Sequence, residues 1–277
     1  MNKLSIFASM MMIMCLPMMA QKNGSKAQVK PDPNFQIYLC FGQSNMEGNA
    51  AIEDIDRTGV NPRFMAMYAV DDEKAGWKKG QWHTAVPPQA RPSTGLTPVD
   101  YFGRKMVDNL PDSIKVGTIT VAVGGASIDL FDKRTCKAYL KKQPDWMKNF
   151  ASQYNGNPYA RLIELAKIAQ KQGVIKGILL HQGETNNGDV NWPNRVKTVY
   201  NDILKELHLK AEDVPLLVGE TVQKDQGGSC WQHIAIVAEH YKWIIEQYFK
   251  IVPVEQQYGI CQWCLTDAPT NSGWRPG

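Results

Sequence analysis

Four apolar runs recur along the chain, at residues 35–42, 116–125, 174–183 and 214–220. They are rich in Val, Ile, Leu and Phe, and they lack the strict alternation expected of a strand with one solvated face. Near-continuous apolar strands are typical of parallel sheets that are covered on both faces. Each run ends in glycine or in a polar residue. We therefore expect a buried parallel sheet whose strands end at a polar edge.

Between these runs, apolar positions recur at helical spacing, and the sequence predicts amphipathic helices there. Thr97 and Asn157 are predicted N-caps, and a proline follows each of them, as is common at the first helical position. Strands that alternate with helices predict an α/β fold, in which functional groups collect at the carboxyl ends of the strands. The three predicted helical segments are 97–110, 157–173 and 192–209. The long stretch 51–91 is rich in turn residues, and we expect it to form surface loops over the polar edge.

The composition is that of a globular protein, with 43% hydrophobic and 21% charged residues among 277. The net charge of +4 is spread along the chain without a long basic run, which argues against nucleic acid as a partner. Residues 1–20 combine an early lysine, an apolar stretch and a final small residue, the pattern of a secretory signal peptide. We expect a polar leader at 21–34, one domain at 35–277, secretion or periplasmic location, and no membrane span after signal removal.

The first strand ends in the sequence GQSN, which presents Ser44 at the polar edge. Gly42 allows the chain to turn sharply there. A serine hydroxyl becomes an effective nucleophile when a base removes its proton, so Ser44 is a candidate nucleophile. An alternative is that Ser44 is a helix N-cap and forms a capping box with Glu47.

Two further strand ends carry groups that suit acyl transfer. Gly124 and Gly125 follow the second run, where backbone N–H groups can turn towards the edge, although an ordinary turn would use the same residues. Gln182 follows the third run and brings a carboxamide donor. Acyl transfer needs hydrogen-bond donors around the oxygen that becomes negative. The Ser44 N–H, the Gly125 N–H and the Gln182 side chain would together make such an oxyanion hole.

The sequence does not indicate a metal or another cofactor. His181 and Glu184 are spaced for joint metal binding, but two ligands do not make a site. Cys261 and Cys264 form a C-x-x-C pair without a second pair at a suitable distance. Cys40 lies inside an apolar run and is predicted to be a small buried hydrophobic residue.

The motifs GQSNMEG, GGASI and HQGETN resemble those of the SGNH hydrolase superfamily, and more narrowly carbohydrate esterase family 6, which includes acetylxylan esterases and is related to sialate O-acetylesterases. The resemblance implies a three-layer α/β/α sandwich around a five-stranded parallel sheet. It also implies removal of acetyl groups from a plant polysaccharide such as xylan. Ser44 would be the nucleophile, and Gln182 would stand where other members place an asparagine. Asn45 and Glu184 would support the site.

The chain departs from the family at its catalytic base, because no aspartate or glutamate has a histidine three residues later. His233 and His240 lie in one amphipathic pattern and are the candidate bases, although half-buried packing is the commoner role on such a helix. The sequence is atypical from about residue 230. We hypothesise that a frame change or truncation leaves the C-terminal part of the fold incomplete.

Two functions follow from these observations. The first is a secreted O-acetylesterase acting on acetylated polysaccharide or oligosaccharide, with His233 or His240 as an unusual base. The second is an inactive, carbohydrate-binding relative, in which loop aromatics stack on sugar rings. A lipid esterase is a weaker third candidate, since the sequence has no long apolar lid. The candidate stacking residues are Trp77, Trp82, Tyr154 and Trp192.

Overall fold

Residues 30–219 and 221 are described in a computed structural model of the chain. Within them, six strands form one sheet in the order β3-β2-β4-β1-β5-β6. Five strands run parallel, and β3 pairs antiparallel with β2 at the edge. The predicted five-stranded parallel sheet is thus confirmed, with one antiparallel strand added. The strands are β1 Phe35–Gly42, β2 Phe64–Met67, β3 Trp82–Thr84, β4 Lys115–Ala122, β5 Val174–His181 and β6 Leu216–Val218.

The predicted helices form where the pattern placed them. Thr97 caps α3 through a capping box with Asp100, and the Asn157 side chain accepts from the Ala160 N–H at the start of α6. Both helices begin with the predicted proline. The helices are α1 Ser44–Glu47, α2 Asp54–Arg57, α3 Pro98–Asn109, α4 Cys136–Lys141, α5 Asp145–Ser152, α6 Pro158–Ala169 and α7 Trp192–Leu207, with short 3-10 helices at Ile128–Phe131 and Glu184–Asn186.

The sheet is buried on both faces, which explains its apolar strands. In β1, side chains alternate between two cores because successive strand residues point to opposite faces. Ile37 and Leu39 pack into the core that α6 and α7 also line. Tyr38 and Cys40 pack on the other side, with residues of α3. The result is a three-layer α/β/α sandwich, and Cys40 is fully buried, as the sequence predicts.

Part of the stretch between residues 51 and 91 belongs to the sheet. We expected surface loops here, but β2 and β3 pair within it and β2 adds a parallel strand beside β4. The prediction was wrong for these strands because each has only three or four residues, too few for a recognisable apolar run.

The topology brings three motifs to the centre of one sheet edge. β1 lies between β4 and β5 and is parallel to both, so the carboxyl ends of these three strands are neighbours. After β1 the chain continues to β2, β3 and β4, which lie on one side of β1 within the sheet. It then crosses to β5 and β6 on the other side of β1. Open α/β sheets bind ligands in the crevice at such a position. Ser44, Gly125 and Gln182 follow these three strands.

In the part of the chain that the structure describes, no helix has the length and hydrophobicity needed to cross a bilayer. The predicted signal peptide and most of the polar leader lie outside the described residues. So do Cys261, Cys264 and the atypical segment that follows residue 230.

Candidate active site

Ser44 lies at the first position of α1, directly after β1. The turn depends on close backbone approach, because a Cβ on Gly42 would lie 2.0 Å from the carbonyl oxygen of His181. Gln43 is the N-cap, without a side-chain cap bond, so the predicted capping box between Ser44 and Glu47 was wrong. Ser44 is half-buried, and its Oγ makes no hydrogen bond with any residue in the described range. The hydroxyl is therefore available for another partner.

A buried ion pair anchors α1. The Arg91 guanidinium contacts the Glu47 carboxylate, and the side chains are only 1% and 9% exposed. The guanidinium also lies 4.2 Å from the centroid of the Phe150 ring. Glu47 is the last residue of α1, so this pair ties the short helix that carries Ser44 to the loop before α3.

The glycine pair after β4 approaches the serine closely. A Cβ on Gly124 would lie 4.0 Å from the Ser44 Cβ and 2.8 Å from a Glu47 carboxylate oxygen. Gly125 has φ of 69°, a conformation that favours glycine. Thr185 Oγ1 donates to the Gly125 carbonyl oxygen at 3.0 Å, whereas the Gly125 N–H has no acceptor among the described residues. The Gly125 N–H is therefore unbonded in the described range, and its role as an oxyanion donor stays a prediction.

Gln182 lies in the same place but is enclosed. Its side chain has no exposed surface, and its Oε1 accepts from the Trp192 indole N–H. Its Nε2 donates within a ring of three acceptors: Gln43 Oε1 at 3.2 Å, the Ala126 carbonyl at 3.2 Å and Asn186 Oδ1 at 2.7 Å. An amide nitrogen carries only two hydrogens. The oxyanion-donor role of Gln182 stays a prediction, and its contacts favour positioning of the surrounding loops instead.

Gln43 joins the turn that carries Ser44 to the loop after β5. Its Oε1 accepts from Gln182 Nε2 at 3.2 Å, from the Gly183 N–H at 3.4 Å and from the Thr185 N–H at 3.2 Å. The side chain is 3% exposed. Sequence reasoning missed this residue, because a glutamine beside a candidate nucleophile carries no signal that its carbonyl collects donors from another strand.

The two predicted supporting residues contact each other. Asn45 Nδ2 donates to Glu184 Oε1 at 2.6 Å, which ties the residue after Ser44 to the third strand end. His181 Nδ1 lies 3.6 Å from the same oxygen. Burial lowers the pKa of His181, and the Glu184 carboxylate opposes this shift in part. Within residues 30–219 and 221, no group of three or more potential ligands is placed to hold a metal.

The structure describes three histidines, and none of them hydrogen-bonds to Ser44 Oγ. His83 stacks on Trp77 with ring centroids 3.8 Å apart, and its Nδ1 lies 2.8 Å from the Thr84 carbonyl oxygen. His208 is the C-cap of α7, in a left-handed conformation. The candidate bases His233 and His240 lie outside the described residues, so their role stays a prediction.

Of the four aromatic residues proposed to stack on sugars, two are buried and two are half-buried. Tyr154 and Trp192 are buried, which contradicts their prediction as sugar-stacking loop residues. Trp77 packs between Tyr68 and His83, and Trp82 packs edge-on against Phe35. An aromatic residue in a loop often anchors that loop to the core.

Residues 34–255 match the sequence profile of the carbohydrate esterases described as sialic acid-specific acetylesterases. The chain belongs to this family. Its family is therefore one of carbohydrate acetylesterases, as the three motifs predict, and acetylated carbohydrate is the substrate class that fits it.

One solved structure supports the fold, and two others match this chain more weakly. A protein from Arabidopsis thaliana, 18% identical, superposes with a TM-score of 0.51 over 72% of this chain and 78% of its own. NanS matches with 16% identity and a TM-score of 0.49, over 82% of this chain and 77% of its own. A carbohydrate acetylesterase from Xanthomonas citri matches with 19% identity and a TM-score of 0.45, over 66% of this chain and 40% of its own.

Proposed function

We propose that this protein is a serine-dependent carbohydrate O-acetylesterase with Ser44 as its nucleophile. The observation that carries the proposal is the position of the Ser44 hydroxyl, which is unbonded among the described residues and lies beside the glycine pair that offers the free Gly125 N–H. Both groups stand at the carboxyl ends of neighbouring central strands.

In the proposed reaction, Ser44 Oγ attacks the carbonyl carbon of the acetyl ester as a base takes its proton. The N–H groups of Ser44 and Gly125 donate to the oxygen that becomes negative. The sugar oxygen then leaves with the proton, and water hydrolyses the acetyl-serine to acetate and free enzyme. We assign the base to His233 or His240, since no described histidine bonds to Ser44 Oγ.

The proposed substrate is an acetylated polysaccharide or oligosaccharide, with xylan as the first candidate. An enzyme that acts on a polysaccharide such as xylan must meet its substrate outside the cytoplasm. The signal-peptide pattern of residues 1–20 supports secretion or a periplasmic location. The family description adds O-acetylated sialic acid as a substrate to be compared with xylan.

The experiment measures acetate release by the full chain from acetylated xylan, from an O-acetylated sialic acid and from 4-nitrophenyl acetate. We expect S44A to lose at least about a thousandfold in kcat on each hydrolysed substrate, with an unchanged unfolding curve. H233A and H240A test the base, and one of them should lose comparable activity. H208N is the matched control, because it removes an exposed histidine at a helix end. Full activity of S44A would contradict the proposal.

One observation favours the second candidate, an inactive carbohydrate-binding relative. Ser44 Oγ has no basic partner among the described residues, and an unassisted serine hydroxyl is a poor nucleophile. In that case the wild-type chain releases no acetate from any of these esters but still sediments with insoluble xylan, and S44A binds equally well. Acetate release that depends on Ser44 rules this candidate out.

A further inference from the structure

Trp146 is the only tryptophan among the described residues that the structure leaves exposed. Its side chain is 48% accessible, whereas Trp192 is 6% accessible and Trp77 and Trp82 are half-buried. Aromatic side chains dominate the energetics of many interfaces, so an exposed one is a candidate ligand contact where it lies beside a site. The position of Trp146 relative to the candidate site decides what that surface could bind.

The indole lies beside the glycine pair of the site. A Cβ built on Gly125 would lie 3.0 Å from Trp146 Cη2, so the ring edge covers the position where any other residue would place its side chain. A Cβ on the preceding Gly124 would lie 4.0 Å from the Ser44 Cβ. Two consecutive glycines therefore lie close to the proposed nucleophile and to the exposed indole.

A chain of side-chain contacts holds the Trp146 indole in place. Trp146 and Phe150 lie one turn apart on α5 and meet edge to face, with centroids 5.8 Å apart. Arg91, in turn, lies over the Phe150 ring at 4.2 Å and pairs with Glu47 of α1. The neighbouring Met147 is buried and anchors α5. This contact chain fixes the indole relative to the helix that carries Ser44, which reduces the ordering cost of binding.

We propose that Trp146 is a stacking platform for the pyranose ring that carries the scissile acetyl group, or for the ring next to it. The proposal rests on the proposed esterase function and adds a sugar-binding subsite to it. A pyranose presents a face of C–H groups with slight positive charge, and the face of an indole carries slight negative charge. Because Trp146 Cη2 lies 3.0 Å from the Cβ position of Gly125, a sugar whose acetyl carbonyl meets the Gly125 N–H would lie near the indole.

The test compares esters that share the acetyl group and differ in the ring. We expect W146A to raise KM for an acetylated xylo-oligosaccharide about tenfold with little change in kcat, because stacking acts on ground state and transition state alike. Hydrolysis of ethyl acetate, which has no ring, should stay unchanged. W146F should recover most of the lost affinity, whereas W146L, which keeps apolar bulk without an aromatic face, should not.

The matched control is I55A, an exposed apolar residue on α2, which packs beside α3 on the other side of the sheet. It should behave as wild type on both esters. Equal loss on the oligosaccharide and on ethyl acetate would show that Trp146 only supports the fold of the site, and an unchanged KM for the oligosaccharide would also overturn the proposal. Running the same series with an O-acetylated sialic acid shows which pyranose the platform accepts.

A binding measurement separates failure of this proposal from failure of the esterase function. We would titrate the acetylated xylo-oligosaccharide into S44A and into S44A/W146A by calorimetry. If the wild type hydrolyses nothing while W146A still weakens binding about tenfold, the esterase proposal fails and the platform stands. If the wild type is active and both variants bind equally, the platform fails and the esterase stands.

Discussion

Gln182 illustrates how the sequence can locate a single residue without showing its contacts. Its place after an apolar run predicts a donor at the sheet edge. In the structure it instead links Gln43, Ala126, Asn186 and Trp192 without any exposed surface. A buried polar group that loses its partner costs about 1–3 kcal/mol. This network therefore gives Gln182 a measurable role in stability.

We predict that Q182L lowers the free energy of unfolding by about 2 kcal/mol, because the Ala126 carbonyl loses its amide donor inside the protein. The measurement is a urea unfolding curve together with kinetics. An oxyanion donor would behave differently, since its removal lowers kcat a hundredfold or more while stability is kept. A large fall in kcat with an unchanged unfolding midpoint would contradict the positioning role.

We expect His181 to make the stability of the protein depend on pH, because its imidazole is buried. Burial lowers its pKa below the value of the unfolded chain, so below about pH 6.5 the unfolded state takes up a proton that the native state resists. Stability therefore falls as the pH drops through this range. We predict that H181Q flattens the decline in unfolding free energy between pH 7.5 and pH 5. Identical slopes in wild type and variant would show that His181 is not responsible.

At the scale of elements, the four-residue α1 is too short to hold Ser44 in place by its own hydrogen bonds. The buried pair between Glu47 and Arg91 supplies the missing constraint and connects α1 with the loop that precedes α3. Capping patterns defined the longer helices α3 and α6 from sequence alone, because their signals lie within a few residues. A contact between residues 47 and 91 has no such local signal.

We predict that E47Q destabilises the protein by about 3 kcal/mol, because removing one charge leaves the other buried and uncompensated. The double variant E47L/R91M should recover part of that loss, since two apolar groups need no partner. Denaturant unfolding of E47L, of R91M and of the double variant completes the cycle. Additive losses would show that the two side chains do not interact.

On the scale of the whole molecule, the two cores on either side of the sheet determine which thiols are accessible. Cys40 is fully buried and Cys136 is 2% exposed, and neither forms a disulfide. Burial raises the pKa of both thiols, to about 11 for Cys136. A thiol that is both protonated and inaccessible reacts slowly.

We predict that a variant with serine at positions 15, 230, 261 and 264 shows no reactive thiol in the native state and two in guanidinium chloride. The count comes from reaction with 5,5′-dithiobis(2-nitrobenzoic acid). C136S is the control, and it should reduce the count in denaturant to one. Rapid reaction of the native protein would mean that a core opens in solution.

The sequence by itself determined the α/β class, the strands in the four apolar runs, the capped helices and the three motifs that follow those strands. These features are local, because apolar periodicity, caps and strand-ending glycines act within a few residues. Only the tertiary structure decided that β2 and β3 join the sheet, that Gln182 and Tyr154 are buried, and that Trp146 stands exposed beside Gly125. Those outcomes depend on which distant surfaces pack together, and packing between distant segments leaves no periodic trace in the chain.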